Sequence, residues 1–546
     1  MPKKNKWIVI TGGVISTLGK GIISSSIGML LKNRGYKVTS VKIDPYINID
    51  AGTMRPTEHG EVFITYDGGE TDQDLGNYER FIGCKLSKQN NITTGQVYRE
   101  VILKERNLEY QGKCVEVIPH IPLEVERRLR KSAKQDDAEI TLIEMGGTIG
   151  DYQNVLFLEA LRTMKLKGEP VIFIHVVYLP IPKTAGEMKS KPAQHSIRAL
   201  NANGLQADIV ICRSEKKIDD VRREKISLFG NIPKEYVFSC EDAQSIYEVP
   251  LMFKEQKLDI KIIEHFREKI KPLKKDYTNW AQEVIKQKNL KETIKIGIVG
   301  KYFDTGNFSL EDSYISVIEA IKHASYKNNI KPEIEWISAQ TLEKNKTNLK
   351  NYDGIIVPGG FGASGIDGKI KAIQLARENK IPFLGLCYGM QLAVIEHARN
   401  KLGMKDANTT EINPKTKHPV IDILPEQKKN IKEKNYGATM RLGEYIANLK
   451  KDTLVQKLYD AKQAIERHRH RYEVNPALKK ILEQKGLVVS GESPDKKLVE
   501  YIERDDHPFF IGTQAHPEFT SKFLKPNPLF DGFINAAKKY KHKKKQ

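Results

Sequence analysis

Cysteine is scarce in this sequence of 546 residues: Cys84, Cys114, Cys212, Cys240 and Cys387 are all there are, and none forms a Cys-x-x-Cys pair. An odd, unpatterned set argues against a disulfide scaffold and against a zinc ribbon. Long apolar runs are lacking as well. The most apolar stretch, Val171 to Pro182, is short and broken by His175, whereas a membrane helix needs about 20 apolar residues. The N-terminal end passes through Lys6 into a short strand-like run, Trp7 to Ile10, too short for a signal-peptide core. We therefore expect no membrane segment, no export and a cytoplasmic location. No internal repeat is visible, and biased composition is confined to one charged segment and a basic tail, Lys538 to Lys545.

What is present is a globular composition, 39% hydrophobic and 29% charged, with a formal net charge of +20. The length allows two domains or more. A lysine-rich solvated surface explains much of the charge, and an anionic partner is the sharper reading. No recognition motif and no basic stripe interleaved with aromatics points to nucleic acid. Nucleoside triphosphates account for the charge with fewer assumptions.

Apolar β-branched runs alternate with helical periodicity, which predicts an α/β fold with parallel sheets and crossover helices. Strands are expected at Trp7–Thr11, Lys37–Ile43, Ile140–Glu144, Pro170–Val177 and Asp208–Cys212, with helices after Lys20 and Gln194 and over Lys216–Phe229. Glu264 to Glu292 is highly charged, contains Pro272 and reads as a helical linker. A fresh alternation starts at Ile294–Gly300 and continues at Gly354–Val357 and Pro382–Leu386. The expected division is residues 1–266, a linker over 267–292, and a second α/β domain over 293–546 that includes the tail.

The second half carries a candidate nucleophile. An apolar run ends in Gly385-Leu386-Cys387-Tyr388-Gly389 and a helical pattern follows. Glycines flanking a nucleophile permit a sharp strand-to-helix turn, and the helix N-terminus favours thiolate. His516, with Glu518 two residues on, supplies a base and a group to orient it. The glycine-rich turn Pro358-Gly359-Gly360-Phe361-Gly362 offers backbone N–H groups for an oxyanion. An isolated cysteine would more often be inert core; the three features in this order point to acyl transfer. They resemble the class I glutamine amidotransferase family over roughly residues 293–540. The resemblance implies Cys387 as nucleophile, His516 as general base and Glu518 as its partner. It also implies Gly360 in the oxyanion turn, with glutamine held by Tyr388, Gly389, Met390, Gln391, Glu411 and Arg471. An ammonium-bearing carboxylate needs one acid and one base, and Glu411 and Arg471 supply those charges. The run Arg467-His468-Arg469-His470-Arg471 also reads as a phosphate patch, and the sequence leaves the two readings open.

The first half carries a glycine-rich segment, Thr11 to Gly21, between a strand and a helix. Backbone N–H groups, Lys20 and the helix dipole suit phosphate. It is P-loop-like rather than a regular P-loop: the first glycine is misplaced, and Gly21 stands where Ser or Thr usually follows the lysine. Carboxylates gather at Asp67 to Asp74 and at Glu144, a strand end. Mg2+ that bridges phosphates takes one or two such groups, although Asp72 and Asp74 also suit a solvated turn. Lys189 to His195 places two lysines and a glutamine just before a helix, as a second triphosphate would want, or as a surface loop would have.

Ile10 to Gly13 followed by Ser16 to Gly21, Lys42 to Asn48, His59 to Phe63, Asp74 to Phe81, Asn90 to Gly95 and Arg467 to Asn475 together resemble the CTP synthase family, nearly end to end. The resemblance implies an ATP-dependent ligase that aminates UTP with ammonia from glutamine. UTP O4 is phosphorylated, Cys387 releases ammonia through a thioester, and ammonia displaces the phosphate. By the same resemblance, Ser16, Thr17, Leu18, Gly19, Lys20, Gly21 and Ile22 cradle ATP, Lys20 and Lys42 stabilise the transferring phosphoryl group, and Asp74 and Glu144 hold Mg2+. UTP lies against Ser16, Lys189, Ser190, Lys191, Pro192, Ala193, Gln194 and Lys225. CTP inhibits from an overlapping site that includes Asp151, Tyr152 and Gln153. GTP is implied as an allosteric activator, and a homotetramer as the working form. Three positions depart from the family pattern: Gln153 where an acid is common, Ser364 where an arginine is common, and Ala515 in place of an aromatic. The alternatives are another fused synthetase–amidotransferase, which should lack Lys42–Asn48 and Asn90–Gly95, an inactive nucleotide-binding or filament scaffold, and a nucleic-acid binder.

Overall fold

Seven short runs rich in Val and Ile form the first sheet, and they are buried on both faces, as parallel strands covered by helices must be. They are β1 (Lys6–Gly12), β2 (Val38–Asp44), β3 (Asn91–Thr93), β4 (Ile140–Met145), β5 (Val171–Tyr178), β6 (Ile209–Ser214) and β7 (Val237–Glu241). Their order is β3-β2-β4-β1-β5-β6-β7, all parallel. In the computed structural model the described residues are 5–184, 186–300, 304–305, 308–309, 311–344, 348–360, 362, 365–424, 427 and 437–545. Contacts divide the chain into two units, residues 1–51 with 74–284, and residues 52–73 with 285–546.

In the first unit, β1 sits between β4 and β5, where successive crossovers leave in opposite directions. Ligands of open α/β sheets bind at such a point, beyond the carboxyl ends of the strands. The ends of β1, β2 and β4 all reach that edge, in register Ile10↔Glu144 and Lys42↔Glu144. After β1 the chain enters α1 (Lys20–Asn33) through Gly19, whose φ of 78° needs glycine. Gly28 of α1 lets α2 (Asp74–Ile82) come close: a Cβ there would stand 2.6 Å from Ile82 Cδ1. The helix expected from Lys216 begins at Asp220 and runs to Gly230, capped by the Asp219 side chain on Arg222 N. Much of the expected linker is a helix, Lys275–Lys288. Its Trp280 donates to the Tyr247 carbonyl at 2.9 Å and packs on Phe81.

The second unit has a nine-stranded sheet. Its strands are β8 (Thr293–Gly300), β9 (Lys331–Ser338), β10 (Gly354–Val357), β11 (Phe383–Leu386), β12 (Arg441–Leu449), β13 (Gln463–His470), β14 (Leu487–Glu492), β15 (Val499–Arg504) and β16 (Phe510–Thr513). The order is β9-β8-β10-β11-β16-β15-β14-β12-β13. The part from β9 to β16 is parallel and the remainder antiparallel. Alternation feeds two cores: Ile355, Val357 and Phe383 join one, Ile356, Leu384 and Leu386 the other. Residues 52–73, which the sequence places inside a continuous first domain, pack with this unit and include the hairpin of Phe63–Ile64 with Glu70–Thr71. Among the described residues no helix is long and apolar enough to cross a membrane.

Candidate active sites

Cys387 stands at the end of β11, at the N-terminus of α6 (Tyr388–Asn400; α3, α4 and α5 are Lys191–Ala202, Asp220–Gly230 and Ile315–Lys327). Its φ of 49° and ψ of −100° are strained for a residue with a side chain. The flanking glycines make the turn feasible. A Cβ on Gly389 would stand 2.0 Å from the Val357 carbonyl oxygen, and one on Gly385 2.9 Å from Gly389. A further bond fixes the elbow, Cys387 N to the Thr513 carbonyl at 2.7 Å.

His516 follows β16. Its Nδ1 lies 2.7 Å from Glu518 Oε1, and the Phe519 ring stacks on it. Gly359 of the glycine-rich turn must be small here too, because a Cβ would stand 2.8 Å from His516 Cε1. Burial pushes the Cys387 thiol up, but His516 above all, with His470, overrides it and holds the thiol at about 6. Burial opposes a charge on His516; Glu518 first and then Cys387 raise it to about 10. The pair therefore rests as thiolate and imidazolium.

These groups line a cavity of about 600 Å3 that also meets Gly360, Tyr388, Gln391, Glu411 and Arg471. Tyr388 OH donates to Gly362 O at 3.3 Å, and Gly362 N donates to Glu411 Oε1 at 3.0 Å. Arg471 Nη1 donates to Gln427 Oε1 at 2.6 Å and to Thr439 Oγ1 at 2.9 Å. Gln391 turns its amide to Tyr472 O and to Gln514. Gly389 and Met390 are not on the cavity wall; Met390 belongs to the core behind α6. Ser364 lies outside the described residues. Ala515 is buried next to the histidine. Arg467 and Arg469 are engaged by residues 52–73. Arg467 donates to Ile64 O at 2.9 Å, and Arg469 to Glu70 Oε1 at 2.9 Å and Gly52 O at 3.2 Å. That segment also gives Gly52, Thr53, Pro56, Glu61 and Val62 to the cavity wall. The sequence reading gave this wall no part in the cavity and left His470 inside a run that also reads as a phosphate patch. An Arg-His alternation on a strand was the available signal for His470.

In the first unit, Lys20, Lys42, Asp74 and Glu144 converge. Lys42 Nζ bridges Asp74 and Glu144, the latter at 3.0 Å. Tyr78 OH also donates to Glu144. Lys20 donates to Gly147 O at 2.7 Å. Burial, then the Asp74 charge, push Glu144 up to about 7. Burial would raise Asp74 too, but Lys42 overrides it and holds that carboxyl low. Asp44, which the sequence reading did not single out, is pushed by burial up to about 6 although it accepts from Asn91 at 2.8 Å. Burial lowers the Lys20 ammonium. Gly21 has a spatial reason: a Cβ there would stand 2.0 Å from Asp74 Oδ1. Among the described residues no cluster of three or more His, Cys, Asp or Glu side chains is built to hold a metal alone. Two hard carboxylates crowded at one lysine, Glu144 raised by burial and by the Asp74 charge, are nonetheless what Mg2+ takes when waters and phosphates complete its shell. Asp74 and Glu144 fit that ion.

The loop before α1 leaves Ser16 and Thr17 exposed, buries Leu18 and half-buries Ile22. Lys189 pairs with Glu187 and Lys191 is exposed, while Ala193 and Gln194 are buried in the first turns of α3 behind Pro192. Gln194 donates to Ser190 Oγ at 3.1 Å. Lys225 is exposed on α4, and Arg222 of the same helix meets Glu187 at 3.1 Å. Asp151 is tied to Thr148 N at 2.6 Å, whereas Tyr152 and Gln153 are exposed in the turn after β4.

Residues 6–268 match the family model described as CTP synthase N-terminus, and residues 309–536 that of glutamine amidotransferase class-I. The chain is 51% identical to the CTP synthase of Pyrococcus furiosus over 543 residues, 99% of each chain. It is 47% identical to that of Thermus thermophilus over 551 residues, 99% of this chain and 98% of that one. A solved glutaminase domain of Trypanosoma brucei CTPS with bound acivicin is 36% identical, covering 45% of this chain and 94% of that one, with a TM-score of 0.42.

Proposed function

The chain belongs to the CTP synthase family, and from that premise we propose how its residues divide the work of making CTP from UTP, ATP and glutamine. The second unit hydrolyses glutamine. Glu411 and Arg471 hold the ammonium and carboxylate ends of the substrate. Cys387 attacks the amide carbon, and the oxyanion turns toward the backbone at Gly359 and Gly360. His516 passes its proton to the departing ammonia, then takes one from the water that opens the thioester, while Glu518 keeps the ring oriented. The observation that carries this half is the strained Cys387 elbow beside the His516–Glu518 pair, in a cavity that also holds an acid and a base.

The first unit activates UTP. The Ser16–Ile22 segment holds the ATP phosphates, Asp74 and Glu144 hold Mg2+, and Lys189 to Gln194 with Lys225 hold UTP. Bound there, Mg2+ supplies charge neutralisation for the triphosphate. Lys20 and Lys42 face the γ-phosphoryl group as it passes to O4 of the uracil ring. Phosphate is then a leaving group that ammonia can displace. Asp151, Tyr152 and Gln153 form the pocket for inhibitory CTP. A cytoplasmic homotetramer responsive to GTP completes the reading.

The test separates the two nitrogen donors. Cys387→Ala should abolish synthesis with glutamine and leave synthesis with ammonia, because the cysteine serves hydrolysis alone. Loss of both activities in a folded variant would sink the division.

A further inference from the structure

Cys387 has a second imidazole beside it. β13 ends next to the nucleophile, with the Arg469 carbonyl 3.9 Å from Cys387 Sγ. The next residue, His470, lines the same cavity as Cys387 and His516 and is itself buried. It is anchored from behind, Nε2 lying 2.6 Å from Glu473 Oε1. With Nε2 committed, Nδ1 is the nitrogen left for the sulfur, and it has no hydrogen-bond partner among the described residues.

The surrounding charges make His470 the cation of its pair. Glu473 accepts from Arg441 at 3.0 Å, but Arg441 is shared with Glu500 at 2.7 Å. Glu473 thus lacks a full counter-charge, and His470 is its other neighbour. His468 meets His470 edge-on at 5.2 Å, and its Nε2 is 3.6 Å from Glu500 Oε2. Burial, then Arg441, hold His468 neutral, well below its usual range. Cys387, His516, Glu518, Glu411, Arg469 and Arg471 line the same cavity as the ring.

We propose that His470 is a further catalytic residue of glutamine hydrolysis, a fixed imidazolium that stabilises the Cys387 thiolate, with Glu473 as its positioning residue. The need for one follows from the cycle. His516 gives its proton to ammonia and regains one only as water attacks the thioester, so its charge is absent for part of the cycle. His470 transfers no proton, so its charge persists through both steps. Burial opposes that charge, but Glu473 first and then Cys387 raise His470 to about 9.

The inference rests on Cys387 and His516 acting as proposed above. The experiment is alkylation of the full-length enzyme with iodoacetamide between pH 5 and pH 9, with labelling at Cys387 followed by mass spectrometry and residual glutaminase activity measured alongside. The wild-type profile should be half-maximal near pH 6. His470→Asn should move that midpoint up by about one unit or more, so that labelling near pH 6 slows roughly fivefold or more. Glu473→Gln should move it in the same direction by less. Thermal midpoints serve as the fold control, and where His470→Asn does not fold, Glu473→Gln decides on the same criterion. Variant profiles that superimpose on the wild type overturn the inference. A wild-type enzyme that is not labelled at Cys387, or that hydrolyses glutamine after labelling, overturns the underlying assignment instead.

Discussion

Gln153 is an exposed amide, and the proposed CTP pocket would make inhibition turn on it. The family pattern places an acid there, and a carboxylate accepts ribose hydroxyls more strongly than an amide by about 1 kcal/mol, roughly fivefold in affinity. Cytosine and uracil differ at position 4, so one base pocket does not favour both. The triphosphate contacts at Lys189, Lys191 and Lys225 would be common to substrate and inhibitor, whereas the turn after β4 would serve the inhibitor. Gln153→Glu should therefore tighten CTP inhibition several-fold and leave the apparent UTP affinity nearly fixed. An inhibition constant that stays put, or moves with UTP affinity, takes Gln153 out of that pocket. Glu144 offers a second test at this scale. Lys42 bridges it to Asp74, so Glu144→Ala should remove synthesis with either nitrogen donor. Near-normal turnover with ammonia would reject the metal assignment.

The loop–helix element after β1 shows what a sequence pattern hides. Gly21→Ser makes the segment look more like a regular P-loop, yet the new Cβ would meet Asp74 Oδ1 at 2.0 Å. We predict that this substitution abolishes ammonia-dependent as well as glutamine-dependent synthesis, because Asp74 must leave Lys42 or α1 must shift. Turnover within twofold of wild type would show that Asp74 is free to move. The glycine-rich turn itself was legible, since a glycine cluster between an apolar run and a helical period has few other uses. The reason for Gly21 was not, because it lies in a carboxylate 53 residues away along the chain. The strand-to-helix turn at Cys387 was legible for the same local reason. The neighbour His470 was not. A run of alternating Arg and His reveals which residues face the site only once it is known to be a strand, and only once Glu70 and Ile64 are seen holding Arg469 and Arg467.

For the molecule as a whole, the division into two units does not follow chain order. Residues 52–73 come from the first half and build part of the Cys387 cavity in the second. Glu70 is the buried anchor of that segment: it pairs with Arg469 and accepts from Ala438 N at 3.3 Å. Removing one partner of a buried pair costs about 3–5 kcal/mol because the other charge is stranded. Glu70→Ala should thus open residues 52–62 to limited proteolysis and raise the KM for glutamine. An unchanged digestion pattern would mean that the hairpin seats without its anchor.

That arrangement bears on how the polypeptide matures as it is made. Residues 52–73 leave the ribosome about two hundred residues before the first strand of the unit they complete. Chains fold largely from the N-terminal end during synthesis, so the segment must wait, unseated, while the unit into which it is spliced finishes around it. Its Glu61 then caps α5 by accepting from Ser316 N, a late and long-range closure. A nascent chain stalled after the first unit should have a protease-sensitive 52–73 segment, and protection should arrive only with the completed chain. The wall of the Cys387 cavity would thereby be among the last parts of the molecule to be set in place, an order of assembly written into the gene product rather than into its active site.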